Sequence, residues 1–276
     1  MRTATFPAGD ETRARCSCKY RARSRIGARM RRNRTEILAT LSLVLVACAS
    51  RGPAFESMDP ETLFQYAMTL LAKHDWSDAE AAFQRFVLQY PNHPRVAEAR
   101  YRIGETYVGR KEHVTAALEF NRLASEFPTG PWADDARFQV CQAYYRLSPK
   151  PSLDQEYTTS AIDHCNNLIT YYPDSDYVSR ARTIVQELTN KLAQKEYLIG
   201  DTYFRRGAYH SANISFERVA AEFATSAWAP RALLRMFESY TRLRYESEAQ
   251  AVKERLLKDY PNSPEARQLG GSAVHP

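Results

Sequence analysis

The chain has 276 residues, of which 44% are hydrophobic and 25% charged, so it can bury a core and is not an intrinsically disordered protein. Its formal net charge is +6, but residues 1–47 hold eleven of the 38 basic and three of the 32 acidic side chains. The rest of the chain carries 27 basic and 29 acidic residues, a net charge of −2. The basic character therefore belongs to the N-terminus and gives no support for a nucleic-acid partner.

The first 29 residues are basic, contain no apolar run and include Cys16 and Cys18. We interpret residues 1–29 as a non-native extension from a start codon assigned too early, with Met30 as the true start. The two cysteines resemble half of a metal site, but no histidine or further cysteine lies near them. The sequence therefore predicts no metal site here.

Residues 30–47 have the organisation of a signal peptide. Three arginines precede eleven uncharged residues, 37–47, and this run is too short to span a bilayer as a mature helix. The run ends in Leu45-Val46-Ala47-Cys48, which is similar to the bacterial lipobox, in which the cysteine is acylated before cleavage. We therefore predict Cys48 as the lipid attachment site and residues 48–58 as a lipid-anchored linker.

The two residues after Cys48 predict the destination of such a lipoprotein. Ala49 and Ser50 include no aspartate of the kind that retains many lipoproteins in the inner membrane. By this general rule for lipoproteins, the outer membrane is favoured. An ordinary cleaved signal peptide, or a chance apolar run, is the alternative interpretation of the segment.

From residue 59 onwards, an aromatic residue followed by proline repeatedly closes a stretch of helical periodicity. The pair occurs at 90–91, 127–128, 172–173 and 260–261, with Phe223-Ala224 as a degenerate copy. The stretches match the 34-residue tetratricopeptide pattern, in which helix A carries positions 4, 7, 8 and 11 and helix B carries 20, 24, 27 and 32. Because such a short helix pair cannot bury its apolar stripe alone, the sequence predicts an all-α protein of five helix pairs in a curved solenoid.

Two insertions interrupt the regular repeat pattern, one within the third repeat and one between the third and the fourth. The third repeat has eight extra residues between helix A, ending near Leu147, and helix B, starting near Thr158, which predict a loop. After Pro173, a proline-free segment with apolar periodicity predicts one helix of about thirty residues that joins repeats 3 and 4. The predicted organisation is repeats 1–3 over 59–173, the long helix and repeats 4–5 over 174–265, and a disordered tail over 266–276.

Residues with catalytic potential form no recognisable motif in this sequence. The six histidines are scattered, and no nucleophile elbow, phosphate-binding loop or dinucleotide-binding glycine motif is present. Asp134 and Asp135 lie at a predicted helix start, where carboxylates favour the helix dipole. We therefore predict that the chain is not an enzyme and has no cofactor or metal apart from the covalent lipid.

Cys141 and Cys165 occupy positions 8 and 24 of the third repeat, which face each other across one helix pair. A disulfide between them is possible in an oxidising compartment. Two small core side chains are the alternative, because a disulfide tolerates only a narrow range of Cα separations.

The segment 172–223 resembles the BamD family. It contains a Tyr-Pro-x-Ser turn at 172–175, the element LAQKEY at 192–197 and the turn RGAY at 206–209. With the lipobox and the five repeats, the resemblance covers nearly all of 48–265. It implies a lipid-anchored scaffold of the β-barrel assembly machinery on the periplasmic face of the outer membrane. The implied partners are the periplasmic domains of the barrel-forming subunit BamA, other Bam lipoproteins and unfolded outer-membrane proteins.

The resemblance also suggests where partners bind. Well-known family members carry a basic residue midway along the fourth helix B, at the partner interface, where this chain has Ser215. The nearest arginines and the arginines at position 13 of the last two repeats form the predicted partner-docking set, which comprises Arg205, Arg206, Arg218 and Arg242. Residues 174–265 are thus the predicted docking half.

Residues 59–173 are the predicted client-recognition half. In tetratricopeptide arrays helix A lines the concave face, and positions 5 and 12 point into the groove. The residues predicted to contact the client at these positions are Phe64, Tyr101, Phe138, Leu71 and Tyr145. Position 13 adds Arg146, which is suited to an acidic group on a partner or on a client terminus. The alternative is that the position-5 aromatics pack between neighbouring helices A and that the arginines lie in solvent.

Two other functions are compatible with this sequence. One is a tetratricopeptide lipoprotein that scaffolds peptidoglycan synthesis or binding, and the other is a cell-wall enzyme that uses the repeats as a platform. The long helix and the RGAY turn favour the assembly machinery over the peptidoglycan scaffold, and the residues after 265 are too few for a catalytic domain.

Overall fold

The structure is a computed structural model that describes residues 58–270. The predicted extension 1–29, signal peptide 30–47, acylated Cys48 and nearly all of its linker lie outside the described residues, as do residues 271–276. Those predictions are therefore not tested by the fold.

Within the described residues, all regular secondary structure is helical, which confirms the predicted all-α class. The helices are α1 (Pro60–Ala72), α2 (Trp76–Gln89), α3 (Val96–Gly109), α4 (His113–Glu126), α5 (Ala133–Leu147), α6 (Glu156–Tyr171), α7 (Val178–Arg205), α8 (Tyr209–Glu222), α9 (Ala229–Leu243), α10 (Glu246–Asp259) and α11 (Pro264–Gly270). Each helix packs mainly against the next one in the chain, so α1 to α10 form five successive pairs. This is the predicted tetratricopeptide arrangement.

Position 8 of each repeat controls how closely helices A and B approach. A Cβ atom added to Gly104 would lie 2.5 Å from the ring of Phe120, and one added to Gly200 would lie 2.7 Å from the ring of Phe216. Both rings are fully buried. The absence of a side chain at position 8 therefore lets the position-24 ring pack directly on the backbone of helix A.

In the third repeat the same two positions hold Cys141 and Cys165. They are joined by a disulfide in the structure, with Cα atoms 4.8 Å apart, and both residues are fully buried. The bond therefore stands where repeats 2 and 4 have a glycine in contact with a phenylalanine.

The connections between helices A and B are short turns in four of the five repeats. A residue in the left-handed region closes each turn, with φ of 63° at His74, 64° at Lys111, 78° at Gly207 and 59° at Arg244. The third repeat has a longer connection, as the insertion predicted. The buried side chain of Gln155 holds it, because its Nε2 donates to the carbonyls of Lys150 and Leu153 at 2.8 and 3.0 Å.

The recurring aromatic–proline pair has a structural role that links neighbouring repeats. The hydroxyl of Tyr172 donates to the carbonyl oxygen of Pro128 at 2.9 Å, and that of Tyr260 donates to the carbonyl of Ala224 at 2.8 Å. In both cases a tyrosine at position 31 bonds to position 32 of the preceding repeat. The pair therefore ends helix B and ties its end to the previous helix pair.

Helix α7 joins the third and fourth repeats as one continuous element of 28 residues, which confirms the predicted long helix. Its first half packs into the core of repeat 3, where Leu188 lies among buried residues that include Leu168. Its second half forms helix A of repeat 4, where Phe204 packs with Phe216. Each half thus belongs to a different hydrophobic cluster.

The C-terminal tail differs from the prediction of disorder from residue 266. Residues Pro264–Gly270 form α11, in which Ala266 is 2% and Leu269 8% exposed. The two side chains belong to the cluster around Leu256, so the last helix pair is covered by an additional apolar turn. The sequence signal was too short to predict this helix, and burial against α9 and α10 stabilises it.

Candidate functional site

Three of the residues predicted to contact a client are not accessible. Phe64 is 0%, Phe138 2% and Tyr101 6% exposed. The prediction that these position-5 rings face a groove is therefore wrong, and the alternative of core packing describes them correctly.

The residue that precedes helix A of the next repeat covers each of these rings. The ring-centroid separations are 4.8 Å for Tyr101 and Trp132, 4.4 Å for Phe138 and Tyr177, and 5.0 Å for Tyr197 and Trp228, and the Arg95 guanidinium carbon lies 3.5 Å above Phe64. Helical periodicity did not identify this cover, because the covering residue belongs to another repeat. A recurring signal exists in the sequence, since an aromatic residue or arginine follows each position-5 ring by 31 residues, or by 39 in the third repeat.

The accessible concavity lies on the side of the A helices in repeats 1–3. A first cleft of about 480 Å³ has an apolar wall formed by Leu71, Trp76 and Val108. The indole of Trp76 rests on Gly109, where an added Cβ would lie 2.6 Å from the ring. Leu71 is therefore a predicted groove residue that does line a cleft.

The charged groups of the first cleft largely compensate each other. Arg102 forms ion pairs with Glu105 at 2.8 Å and with Glu98 at 3.4 Å. Gln139, which also lines this cleft, donates to the hydroxyl of Tyr101 at 3.1 Å. The remaining charge is Arg146, in the last turn of α5.

A second cleft of about 270 Å³ lies between α5 and α7. It includes Tyr145, a predicted groove residue that is 37% exposed, together with Arg180 and Glu187. The Tyr145 hydroxyl donates to Glu187 Oε2 at 2.7 Å, and this hydrogen bond raises the pKa of the phenol. Gln142 and Arg146 line both clefts, so the two are continuous.

A different accessible surface lies on the second half of α7. Ile199 and Tyr203, at repeat positions 7 and 11, are 39% and 41% exposed. Their equivalents in repeat 2 are covered by the preceding repeat: Ile103 is 4% exposed, and the Tyr107 hydroxyl donates to Glu80 of α2 at 2.7 Å. No such cover exists in repeat 4, because α6 packs against the first half of α7.

Helix α8 extends this surface with Ile214, which is 66% exposed. Arg218, one turn further along α8, pairs with Glu196 at 3.1 Å, and Glu196 lies one turn before Ile199. Since α7 and α8 run antiparallel, Ile214 lies beside the Ile199 turn. We call the surface formed by Ile199, Tyr203 and Ile214 the open face.

The structure divides the predicted docking arginines into two groups. Arg206 follows Tyr203 on the same side of α7, is exposed and forms no ion pair within residues 58–270, and Arg218 flanks the open face through Glu196. Arg205 instead pairs with Asp201 at 2.8 Å, on another side of the helix.

The last predicted arginine also lies away from the open face. Arg242 donates to the Tyr209 hydroxyl at 3.0 Å and lies 4.7 Å above the ring of Phe204. Ser215, the departure from the family pattern, is only 6% exposed and therefore offers no surface contact.

Within residues 58–270, no three side chains among His, Cys, Asp and Glu are grouped so that they could hold a metal ion. No helix in this part of the chain is both long and apolar enough to cross a membrane.

Comparison with known proteins gives one match to a family model and several to individual proteins. The model, YfiO, is described as an outer membrane lipoprotein and matches residues 56–256. The outer membrane protein assembly factor BamD of Rickettsia prowazekii is 26% identical over 227 residues, covering 82% of this chain and 90% of that protein. The protein of the same name from Caulobacter vibrioides is 24% identical over 219 residues, covering 76% and 72%.

Among solved structures, the TPR2AB domain of yeast Sti1 in its Hsp90 complex is similar with a TM-score of 0.42. Its sequence identity is 13%, and the alignment covers 78% of this chain and 82% of that one.

Proposed function

The chain belongs to the YfiO family of outer membrane lipoproteins, and on this basis we propose that it is the lipid-anchored periplasmic scaffold of the β-barrel assembly machinery. Its relatives named BamD are outer membrane protein assembly factors, and they support a role for this chain in outer membrane protein assembly. We propose that this role includes docking on BamA and recognition of unfolded clients.

The proposed anchor is an acyl group on Cys48. The lipobox-like sequence before this cysteine and the lack of an aspartate after it support attachment to the periplasmic face of the outer membrane. Each buried acyl CH₂ contributes about 0.8 kcal/mol, so several chains on one residue hold a protein at the membrane. The described helices would then lie in the periplasm.

The proposed docking site for the periplasmic domains of BamA is the open face. Its three exposed apolar side chains lie on the adjacent helices α7 and α8, which also carry the cationic Arg206 and Arg218. Such a surface fits a partner surface that has apolar residues at its centre and carboxylates at its edge. Other Bam lipoproteins are further proposed partners, without a surface assigned to them.

The proposed recognition site for unfolded outer-membrane proteins is formed by the two continuous clefts of repeats 1–3. An extended peptide would lay its apolar side chains against Leu71, Trp76 and Val108. Burial of these groups stabilises the complex by about 25 cal/mol per Å² of apolar area removed from water. This role requires neither catalysis nor a cofactor.

The observation that carries the proposal is the double use of α7. Its first half forms one wall of the second cleft through Arg180 and Glu187, and its second half bears Ile199 and Tyr203 of the open face. One uninterrupted helix therefore connects the proposed client site to the proposed docking site, as a scaffold between client and barrel-forming subunit requires.

The proposal is tested by purifying the acylated full-length protein from its native envelope in detergent and identifying the proteins that accompany it. We expect stoichiometric recovery of a large barrel protein with repeated periplasmic domains. The substitution Tyr203→Asp should abolish this recovery. Leu118→Asp is the matched control, because Leu118 is 61% exposed on α4, outside the open face.

A Cys48→Ser variant separates anchoring from docking, because serine cannot carry the acyl group. The variant should lack the lipid anchor but still bind the barrel protein when overproduced. Recovery of cell-wall synthases without any barrel protein would contradict the proposal and favour a scaffold of peptidoglycan synthesis.

A further inference from the structure

Position 7 of helix A is normally covered by helix B of the preceding repeat. Its exposed fraction is 4% in repeat 2 at Ile103, 1% in repeat 3 at Val140 and 3% in repeat 5 at Met236. Each of these residues shares a hydrophobic cluster with a phenylalanine of the preceding helix B. Ile199, at the same position of repeat 4, is 39% exposed. The fourth repeat therefore has the surface that receives a helix B, but the chain places no helix there.

The connection between α5 and α6 bounds this uncovered surface at one end. Lys195 lies one turn before Ile199 on the same side of α7, and its Nζ donates to the carbonyl oxygen of Leu153 at 2.9 Å. One turn earlier, Lys191 Nζ donates to Ser148 Oγ at 2.8 Å. Leu153 itself is 56% exposed. The connection thus places an exposed leucine beside the turn of α7 that precedes the open face.

Hydrogen bonds between buried side chains hold the connection in this position. Thr158 is 0% and Gln155 7% exposed, and the Thr158 hydroxyl donates to Gln155 Oε1 at 2.7 Å. The Ser148 and Thr158 hydroxyl oxygens lie 2.6 Å apart. Because Leu153 stands on an ordered support, a partner that contacts it loses little conformational entropy in ordering the connection.

We propose that the α7 side of the open face, bounded by Leu153, binds an amphipathic α-helix of the partner in the place of the missing helix B. Successive helices joined by short turns are antiparallel, so this helix runs from Tyr203 towards Leu153, opposite to α7. The eleven residues from Lys195 to Arg206 span about 16 Å, which is about three helical turns. The inference rests on the proposed docking site and adds the structural element that the partner contributes.

The helices B of this chain indicate which side chains such a helix needs. On α4, Ala117 is 1% and Ala124 0% exposed, and both lie in one cluster with Val140 of α5. These two alanines are seven residues apart and therefore lie on one face of α4, two turns from each other. The partner helix should likewise present small apolar residues along one face.

Charge and secondary structure also favour a helix with this direction. Arg206 is exposed, forms no ion pair within residues 58–270 and lies at the Tyr203 end of the surface, where the partner helix would begin. Carboxylates in the first turn of a helix favour its dipole and would meet this guanidinium. The described part of the chain contains no β-strand, so it offers no sheet edge to which a partner strand could add.

The test uses the acylated full-length protein in its native envelope. The photo-crosslinking residue benzoylphenylalanine replaces Ile199, Tyr203 or Leu153, one at a time, and mass spectrometry identifies the crosslinked residues of the barrel protein. Leu118, which is 61% exposed on α4, is the matched control position.

We expect Ile199 and Tyr203 to crosslink to residues of one helix that recur about every three to four positions, because only one face of that helix can contact α7. Tyr203 should reach residues nearer the N-terminus of that helix than Ile199 does. Leu153 should reach residues nearer its C-terminus. Leu118 should give no crosslink to this helix.

Crosslinks from Ile199 and Tyr203 to alternate residues of a strand, or to a loop, would overturn the inference while docking at the open face stands. Crosslinks only to a second copy of this chain, or none to a barrel protein, would overturn the inference and the proposed docking site together. A partner helix that crosslinks to α7 but not to Leu153 would overturn the role of the connection between α5 and α6.

Discussion

Positions 8 and 24 of each repeat show how single residues set the spacing of a helix pair. Gly200 allows the Phe216 ring to rest on the α7 backbone, whereas Cys141 and Cys165 hold the third pair together covalently. The third repeat also has the longest connection between its two helices, so closing this loop costs the most entropy of any in the array. The disulfide thus lies in the repeat whose helix pair has the largest entropic cost of loop closure.

Removal of the disulfide is expected to destabilise the protein. The bond closes a loop with a sequence separation of 24, and the double variant Cys141→Ala/Cys165→Ala should lower the free energy of unfolding by about 3 kcal/mol. Denaturant unfolding measures the change, and a reductant should shift the wild type but leave the variant unchanged. Alkylation of both cysteines in unreduced, denatured protein would show that the bond does not form.

Glycine substitutions separate packing from backbone strain. Gly200→Ala should lower the free energy of unfolding by about 1–2 kcal/mol, because its Cβ would lie 2.7 Å from the Phe216 ring. Gly207→Ala should cost about 1 kcal/mol through its φ of 78° alone, since nothing lies within 4 Å of the added Cβ. In denaturant titrations, Phe216→Leu should relieve the first defect and leave the second unaffected.

For single residues, the sequence could predict which side chains lie on one face of a helix, but not which residues of the next repeat cover them. The pattern places Phe64, Tyr101 and Phe138 on one side of helix A, and only the packing of the following repeat shows that Arg95 or an aromatic ring closes over each of them. Periodicity describes one helix at a time. Burial by a residue 31 positions later depends on how two neighbouring repeats pack against each other.

Helix α7 shows, at the scale of an element, what a repeat pattern predicts and what it omits. The lack of proline and the apolar spacing predicted its length, and Val178–Arg205 confirms it. The same pattern assigns Ile199 and Tyr203 to the core, because positions 7 and 11 normally pack on the preceding helix B. They are exposed because the insertion between repeats 3 and 4 forms the first half of α7. Helix α6 packs against that first half and not against the half that carries Ile199 and Tyr203.

Matched substitutions at position 7 test this account of the open face. Ile103→Asp buries a carboxylate at a site that is 4% exposed and should cost at least about 3 kcal/mol of unfolding free energy. Ile199→Asp, at the same repeat position but 39% exposed, should cost less than about 1 kcal/mol. Equal losses in thermal or denaturant unfolding would mean that α7 is covered in solution.

The molecule as a whole is a linear series of helix pairs, each in contact with its neighbours. The sequence predicted this order and the number of pairs, because each repeat carries its own periodicity and its own closing aromatic. It predicted less well which surfaces the series leaves accessible. Trp76 and Arg180 follow no repeating pattern in the sequence. Each comes to line its cleft only after the helices have stacked.

Stability should vary along this series. Terminal pairs have one neighbour and central pairs have two, so native-state hydrogen exchange should be fastest in α1 and α10 and slowest in α5 to α7. The disulfide between α5 and α6 reinforces the centre. Uniform protection from end to end would indicate that the array unfolds as a single unit.

The continuous helix α7 has a mechanical consequence. A helix of 28 residues is about 42 Å long, and its first half is clamped in the core beside the disulfide-bonded pair. A tilt of about 5° around that clamp would move the far end of the second half, about 21 Å away, by about 2 Å together with the packed α8, if the helix behaves as a stiff lever. Small rearrangements among the residues around Arg180 would thus be transmitted to Tyr203. A partner bound at the open face would then be displaced, although no charge at that face changes.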